Sequence, residues 1–192
     1  MKKLYVATLV IMAAALMAMP TTAQANLLSN SGFETGDFTD WPTTMNAGVT
    51  DAKAHSGTYS AESASEYAWI QQIVEVTPGT TYRVSGWLAA DDVLKYGAYT
   101  QVKIEWLGAS GQEGSEKFYG NTTGEWEYVE FDVEAPEGAV AAKYTFFKEH
   151  DVLGTRAYFD DAYFDVVPEP ASLLLLGTGL LGLFGISRRK RG

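Results

Sequence analysis

Arg83, Ser85 and Trp87 alternate along one stretch of chain, so in a strand their side chains share a face. Tyr82, Val84 and Leu88 take the opposite, apolar face, which makes the Arg–Trp face the outward one. An indole beside a guanidinium and a hydroxyl suits sugar recognition. The ring lies against the apolar face of a pyranose while the polar groups bond its hydroxyls. Gln101, Lys103 and Glu105 would extend this face if the two strands pair, and Tyr128 with Glu130, and Lys143 with Phe147, would add to it. The candidate contacts are Arg83, Trp87, Lys103 and Tyr128. An outward large aromatic is the sharpest of these signals. A second reading stays open, in which Trp87 is covered by a loop or packs against another strand. Trp41, Trp69, Trp106 and Trp126 are expected in the core, where large aromatics dominate.

Other chemistries find little support. There is no cysteine, which removes thiol chemistry and thiolate zinc sites. His55 and His150 lie far apart, so a histidine-rich metal site is not expected. They read as ordinary turn and loop residues. No Gly-x-Ser-x-Gly elbow, phosphate-cradling glycine loop or His-Glu-x-x-His occurs. Glycoside hydrolysis needs two positioned carboxylates, and no acidic pair here has a distinguishing context. The chain is therefore read as not an enzyme, with no catalytic residue. Asn121-Thr122-Thr123 matches a glycosylation sequon and is read as chance.

The elements that would position the candidate face read as strands. Ile70 to Val76 is β-rich and stops at Thr77-Pro78-Gly79-Thr80, a turn by composition. Thr81 to Ala89, Thr100 to Leu107 and Glu125 to Val133 alternate apolar with polar. Val102, Ile104 and Trp106 are expected inward, as are Val129, Phe131 and Val133. Val140 to Phe147 and Arg156 to Val166 complete the set. No sustained helical period interrupts them, which favours an all-β sandwich over residues 26–166.

Both ends of the chain differ from this middle. Lys2 and Lys3, an apolar stretch from Leu4 to Met19, and Ala23-Gln24-Ala25 read as a signal peptide over residues 1–25. Signal peptidase is its implied partner. At the other end, Pro168-Glu169-Pro170 precedes an apolar segment, residues 171–186, and the basic run Arg188-Arg189-Lys190-Arg191. Sixteen helical residues span about 24 Å, shorter than the roughly 20 residues of a usual membrane span. The segment is expected to be a transmembrane helix that holds the protein only transiently, with the basic run on the cytoplasmic side. Between the ends, residues 26–167 hold eight basic and 23 of the 24 acidic residues, a net charge of −15. Such acidity argues against nucleic acid as a partner and suits cations such as Ca²⁺.

Two family resemblances follow. The Pro-Glu-Pro, the short Leu/Gly-rich segment and the terminal basic cluster of residues 167–192 resemble a PEP-CTERM sorting signal. This implies processing by an exosortase and a Gram-negative host. It also implies transient anchoring in the inner membrane and delivery to the cell surface or an exopolysaccharide matrix. Asn26 to Glu34 with Trp41, His55 to Ser60, Gln71 to Trp87 and Tyr158 to Asp161 with Phe164 resemble carbohydrate-binding modules of the xylanase- and cellulase-associated type. The implied fold is a jelly-roll, galactose-binding-like β-sandwich.

That resemblance sets the first and last strands side by side, which would bring Glu34 to Asp160 and Asp161. Hard oxygen ligands from both strands, with carbonyls near Ser56 and Gly57, would suit a structural Ca²⁺. Alternation puts Asp160 on the buried side of its strand, where an unpaired carboxylate is costly. In the alternative, Asp160 and Asp161 simply accept hydrogen bonds from backbone amides. The expected function is an exported, non-catalytic surface or matrix protein that binds polysaccharide. A structural matrix protein without a sugar ligand is the alternative, and a hydrolase a minor one.

Overall fold

The structure is a computed structural model that describes residues 25–92, 99–120, 124–149 and 154–168. The expected signal peptide, the segment 171–186, the sorting residues from Glu169 onward, the Asn121 sequon and His150 lie outside these residues.

Ten strands are present among the described residues: β1 (Thr43–Met45), β2 (Gly48–Thr50), β3 (Ser60–Ser63), β4 (Ala68–Glu75), β5 (Thr81–Ala90), β6 (Tyr99–Gly108), β7 (Gly111–Gly120), β8 (Glu127–Glu134), β9 (Ala139–Glu149) and β10 (Ala157–Val166). They form two five-stranded sheets, ordered β1-β4-β9-β6-β7 and β2-β3-β10-β5-β8, hereafter the cleft sheet and the back sheet. Every pairing is antiparallel. The expected all-β sandwich is what forms. Only β2–β3 and β6–β7 are consecutive strands within one sheet; every other connection crosses between sheets.

Alternation explains the packing. In β4, Ala68, Ile70 and Gln72 are buried while Trp69, Gln71 and Ile73 are not. In β6, Val102, Ile104 and Trp106 face inward, and in β5, Tyr82, Val84 and Leu88 meet them from the back sheet. Phe33, Trp41, Tyr144, Phe146 and Phe159 form the aromatic centre of this core. Gly86 of β5 lets the sheets close there: a Cβ would lie 2.7 Å from the Phe146 ring and from the Tyr144 hydroxyl. That hydroxyl donates to the Ser85 carbonyl at 2.8 Å. Burial pushes the Tyr144 phenol well above its usual pKa. The β4–β5 turn is the expected one. Gly79 takes φ 73°, and the Thr80 amide donates to the Thr77 carbonyl at 3.2 Å, as the Pro-Gly pair favours.

The opening block differs from expectation. Residues 26–41 form turns, not a first strand. The segment carries Phe33 and Trp41 into the core, and the Trp41 indole donates to the Asn30 carbonyl at 3.0 Å. Its Asn30 amide also donates to the carbonyls of Asp37 and Thr39. These side-chain bonds satisfy backbone groups that a ladder would otherwise pair.

Candidate functional site

The outward face of the cleft sheet can be laid out from register alone. Trp69 of β4 pairs with Phe147 of β9, which pairs with Gln101 of β6. Thr43 of β1 pairs with Gln71, then Thr145, then Lys103. Ile73 pairs with Lys143, then Glu105. Each row crosses strands about 4.8 Å apart, and successive rows are about 6.7 Å apart along the chain. All of these residues but Gln101 and Ile73 line a cleft of roughly 380 Å³, bounded by Thr43, Trp69, Gln71, Lys103, Glu105, Lys143, Thr145 and Phe147. Four strands side by side give it a length of about 14 Å, suited to a chain and not to a single small group.

Its chemistry is divided. At one end the Trp69 and Phe147 rings stack, 6.4 Å apart and inclined 24°. They offer an apolar platform beside Gln71 and Thr145. At the other, Glu105 sits between two lysines, its carboxylate oxygens 2.8 Å from Lys143 Nζ and 3.2 Å from Lys103 Nζ. Desolvation pushes the Glu105 pKa up, but the hydrogen bonds from Lys143 and Lys103 outweigh it and leave it below the usual value. Glu105 is therefore a fixed anion. The hydroxyl of Thr145 and the side-chain oxygen of Gln101 are buried on this face without a hydrogen-bond partner among the described residues. Such groups are costly unless something supplies the missing bond.

Of the four residues expected to contact sugar, Lys103 lies in this cleft and Arg83, Trp87 and Tyr128 do not. Those three sit together on the outer face of the back sheet, on β5 and β8. The chain crosses between sheets after β5, so the β5 and β6 faces point to opposite sides of the sandwich. Arg83 is engaged there by Asp132 at 2.9 and 3.0 Å, with Glu130 3.8 Å away. The hydrogen bonds it donates to Asp132 raise its already high pKa further. Tyr128 donates to Glu130 at 2.6 Å. Trp87 is covered by the His55 ring, stacked at 3.7 Å and 16°, with Tyr128 at 5.1 Å. The loop-covered reading of Trp87 is the one the geometry shows. Trp41 and Trp106 are in the core as expected. Trp69 is not: it follows buried Ala68 and precedes buried Ile70, so the pleat turns it out into the cleft. Trp126 is also only partly buried, against Tyr158 and His55.

Asp160 and Asp161 lie together with the Glu34 methylene beside them, while the Glu34 carboxylate turns toward Gly57. A Cβ built on Gly32 would lie 3.3 Å from Asp161, 3.6 Å from Asp160 and 3.8 Å from Glu34. The route differs from expectation, because β10 carries a bulge between Asp160 and Tyr163, with Asp161 at φ 46°. Asp160 stands opposite Trp87 on the outer face, not the core face. It is fully buried by the 55–58 loop laid over it. The His55 and Ser56 amides donate to its Oδ2 at 2.8 and 3.2 Å, and the Asp161 amide to its Oδ1 at 2.8 Å. Glu34 accepts from the Thr58 and Tyr59 amides. Asp161 meets His55 Nδ1 at 2.6 Å and the Ser56 hydroxyl at 2.7 Å. Burial, and then the charge of Asp161, push the Asp160 pKa up to about 6. Among the described residues no group of three or more His, Cys, Asp or Glu is arranged to hold a metal ion. The same carboxylates clasp the loop that covers Trp87.

Residues 25–152 match the family described as carbohydrate binding domain, and the chain belongs to it. Residues 166–190 match the PEP-CTERM protein-sorting motif. No curated protein matches in sequence. Among solved structures, the chain is similar to TmCBM61 in complex with β-1,4-galactotriose, at 25% identity and TM-score 0.56, over 74% of this chain and 99% of that one. It is similar to a xylan-binding domain from Paenibacillus barcinonensis, at 16% identity and TM-score 0.56, over 77% and 98%. It also resembles the enzymatically active domain of bacteriophage CBA120 tailspike protein 4, at 14% identity and TM-score 0.60. That likeness covers 74% of this chain, which spans only about a fifth (21%) of the tailspike structure.

Proposed function

We propose that this carbohydrate-binding-domain protein is exported, reaches the cell surface or an exopolysaccharide matrix, and holds a polysaccharide along the cleft without cleaving it. The observation that carries the reading is the stacked Trp69–Phe147 platform set beside the polar side chains of Gln71, Lys103 and Lys143 in one cleft. A sugar offers partners for both, an apolar ring face and hydroxyls. The ligand in the TmCBM61 complex, a β-1,4-linked galactose chain, is of the elongated kind this cleft suits. A non-catalytic role is supported by the single carboxylate among the cleft residues, Glu105, which two lysines hold ionised. Hydrolysis needs one carboxyl group able to give a proton and a second to act as base or nucleophile.

In this reading signal peptidase removes residues 1–25. The helix 171–186 then holds the chain in the inner membrane of a Gram-negative cell until exosortase acts near Pro168. The test is retention of residues 26–167 on immobilised polysaccharides. Loss of retention in Trp69→Ala, with Trp87→Ala unaffected, supports the cleft. Absence of retention on every polysaccharide would favour a structural matrix protein with no sugar ligand.

A structural Ca²⁺ at Glu34, Asp160 and Asp161 is a second proposal. What favours it is the pair of carboxylates, Asp160 and Asp161, beside Gly32, with the Glu34 side chain packed against the same glycine and His55 as the basic side chain in contact. What the ion would do is offset charge and lock the 55–58 loop against β10, and it would take no part in sugar chemistry.

A further inference from the structure

We propose that the polymer bound in the cleft is an acidic polysaccharide, with an anionic sugar substituent held by the ammonium donors of Lys103 and Lys143 that Glu105 leaves open. The inference rests on the carbohydrate-binding reading above and names the class of sugar.

The cleft is a cationic spot on an anionic protein. Residues 26–167 carry a net charge of −15 and eight basic residues. Most of the described ones are spent elsewhere. Arg83 and Arg156 pair with Asp132 and Glu62 on the back sheet. Lys53 donates to the carbonyls of Ala90 and Gly124, and buried Lys148 to those of Ser63 and Thr155. Lys103 and Lys143 instead stand side by side in the cleft and share one carboxylate, Glu105. The trio has a net charge of +1. Their side chains are only 27% and 24% exposed, and Glu105 is 12% exposed. A charge left uncompensated at such a site is unfavourable until an anion completes the set.

Geometry points the same way. Each ammonium has three donors, and one from each goes to Glu105. Lys103 lies one row and Lys143 two rows from Phe147, so a sugar ring on the aromatics places its neighbour over the lysines. Apart from Glu105, the acidic groups that the β4, β9 and β6 rows place on this face lie at its ends. Glu75 is one row beyond Lys143, and Glu149, which accepts from the Tyr99 hydroxyl, is two rows beyond Lys103. They confine an anionic group to the middle. A neutral glycan needs hydroxyl partners and gains little from a paired cation.

The test uses the full chain in mild detergent, with affinity electrophoresis in four polymers. These are polygalacturonate, the same polymer methyl-esterified, a sulfated galactan and neutral β-1,4-galactan. Polygalacturonate or the sulfated galactan should bind about tenfold or more tighter than the methyl ester, as expected when charge-assisted bonds are lost. The acidic polymer that binds better identifies the anionic group. Lys103→Gln/Lys143→Gln should erase this preference in a protein that still unfolds in one cooperative step, its melting temperature lowered by the loss of the Glu105 ion pairs; Lys103→Arg/Lys143→Arg should restore both. The basic run 188–191 is common to both proteins, so its attraction for a polyanion cancels in the comparison. Glu105→Gln should move affinity the other way, tightening acidic binding as the local charge rises. Neither acidic polymer binding tighter than the methyl ester and the neutral galactan, or a preference unchanged in the double lysine variant, overturns the proposal with sugar binding intact. No binding of any polymer overturns both this proposal and the carbohydrate-binding reading.

Discussion

Trp69→Ala removes the platform on which the proposed sugar stacks and leaves the fold almost untouched. A tryptophan side chain offers about 150–250 Å². The sheet and Phe147 already cover much of Trp69, so a ligand can bury roughly 60 Å² more. At about 25 cal/mol per Å² this contributes about 1.5 kcal/mol, a loss of roughly tenfold in affinity. The stability cost should stay under about 1 kcal/mol, because the ring lies outside the core; a buried aromatic replaced by alanine costs about 3–5 kcal/mol. Trp41→Ala, in the aromatic centre, is the contrast. Isothermal titration with a bound oligosaccharide, beside thermal melting, separates the two effects. Unchanged affinity in a folded Trp69→Ala protein would refute the assignment of the cleft. So would a loss of affinity that only tracks a loss of stability.

Trp87→Ala, beneath His55 on the opposite sheet, should leave retention on polysaccharide within about twofold and lower the melting temperature through lost stacking, worth about 1 kcal/mol. Gly86→Ala forces a methyl into the Phe146 ring and the Tyr144 hydroxyl and should cost about 1–3 kcal/mol in denaturant unfolding. Glu105 has a lowered folded pKa, so its ion pairs stabilise the fold above its usual value of 4.5 and that contribution is lost as pH falls through the folded pKa. Melting curves of wild type and Glu105→Gln should therefore converge as pH falls from 4.5 through the lowered folded pKa, and a gap that widens on acidification would count against the trio. For the proposed ion, Asp160→Asn should lower the melting temperature more in Ca²⁺ than in chelator; equal loss in both leaves the amide clasp as the whole explanation.

The fold was legible where the chain alternates. β4, β5, β6, β8, β9 and β10 lie within a few residues of the runs read from period-two patterning. β7, Gly111–Gly120, was not foreseen because its glycines and charges carry no apolar face. β1, β2 and β3 are three or four residues long, too short for a period to register. The inward and outward sets were also legible, including Lys103 and Glu105 as outward. Sheet membership was not. Alternation fixes which side of its own strand a residue takes, but not which sheet receives the strand, so Arg83 and Lys103 were joined on a face that does not exist. Trp69 had a usable signal, since it sits between inward Ala68 and Ile70. The expectation that large aromatics fill cores overrode it. At β10 the period itself failed, because the bulge at Asp161 reverses parity and no pattern announces it. The nearness of Glu34 to Asp160 and Asp161 came from family resemblance, which carries the topology that local patterning lacks.

The central claim is that sugar binds on the face of β1, β4, β9 and β6. The most direct measurement is a two-dimensional ¹⁵N spectrum of the five tryptophan indoles during titration with β-1,4-galactotriose and with trigalacturonate. The account predicts that the Trp69 indole shifts and saturates, more tightly with the acidic sugar, while the Trp87 and Trp126 indoles stay in place. Saturable shifts at Trp87 and Trp126 with Trp69 unmoved would contradict it.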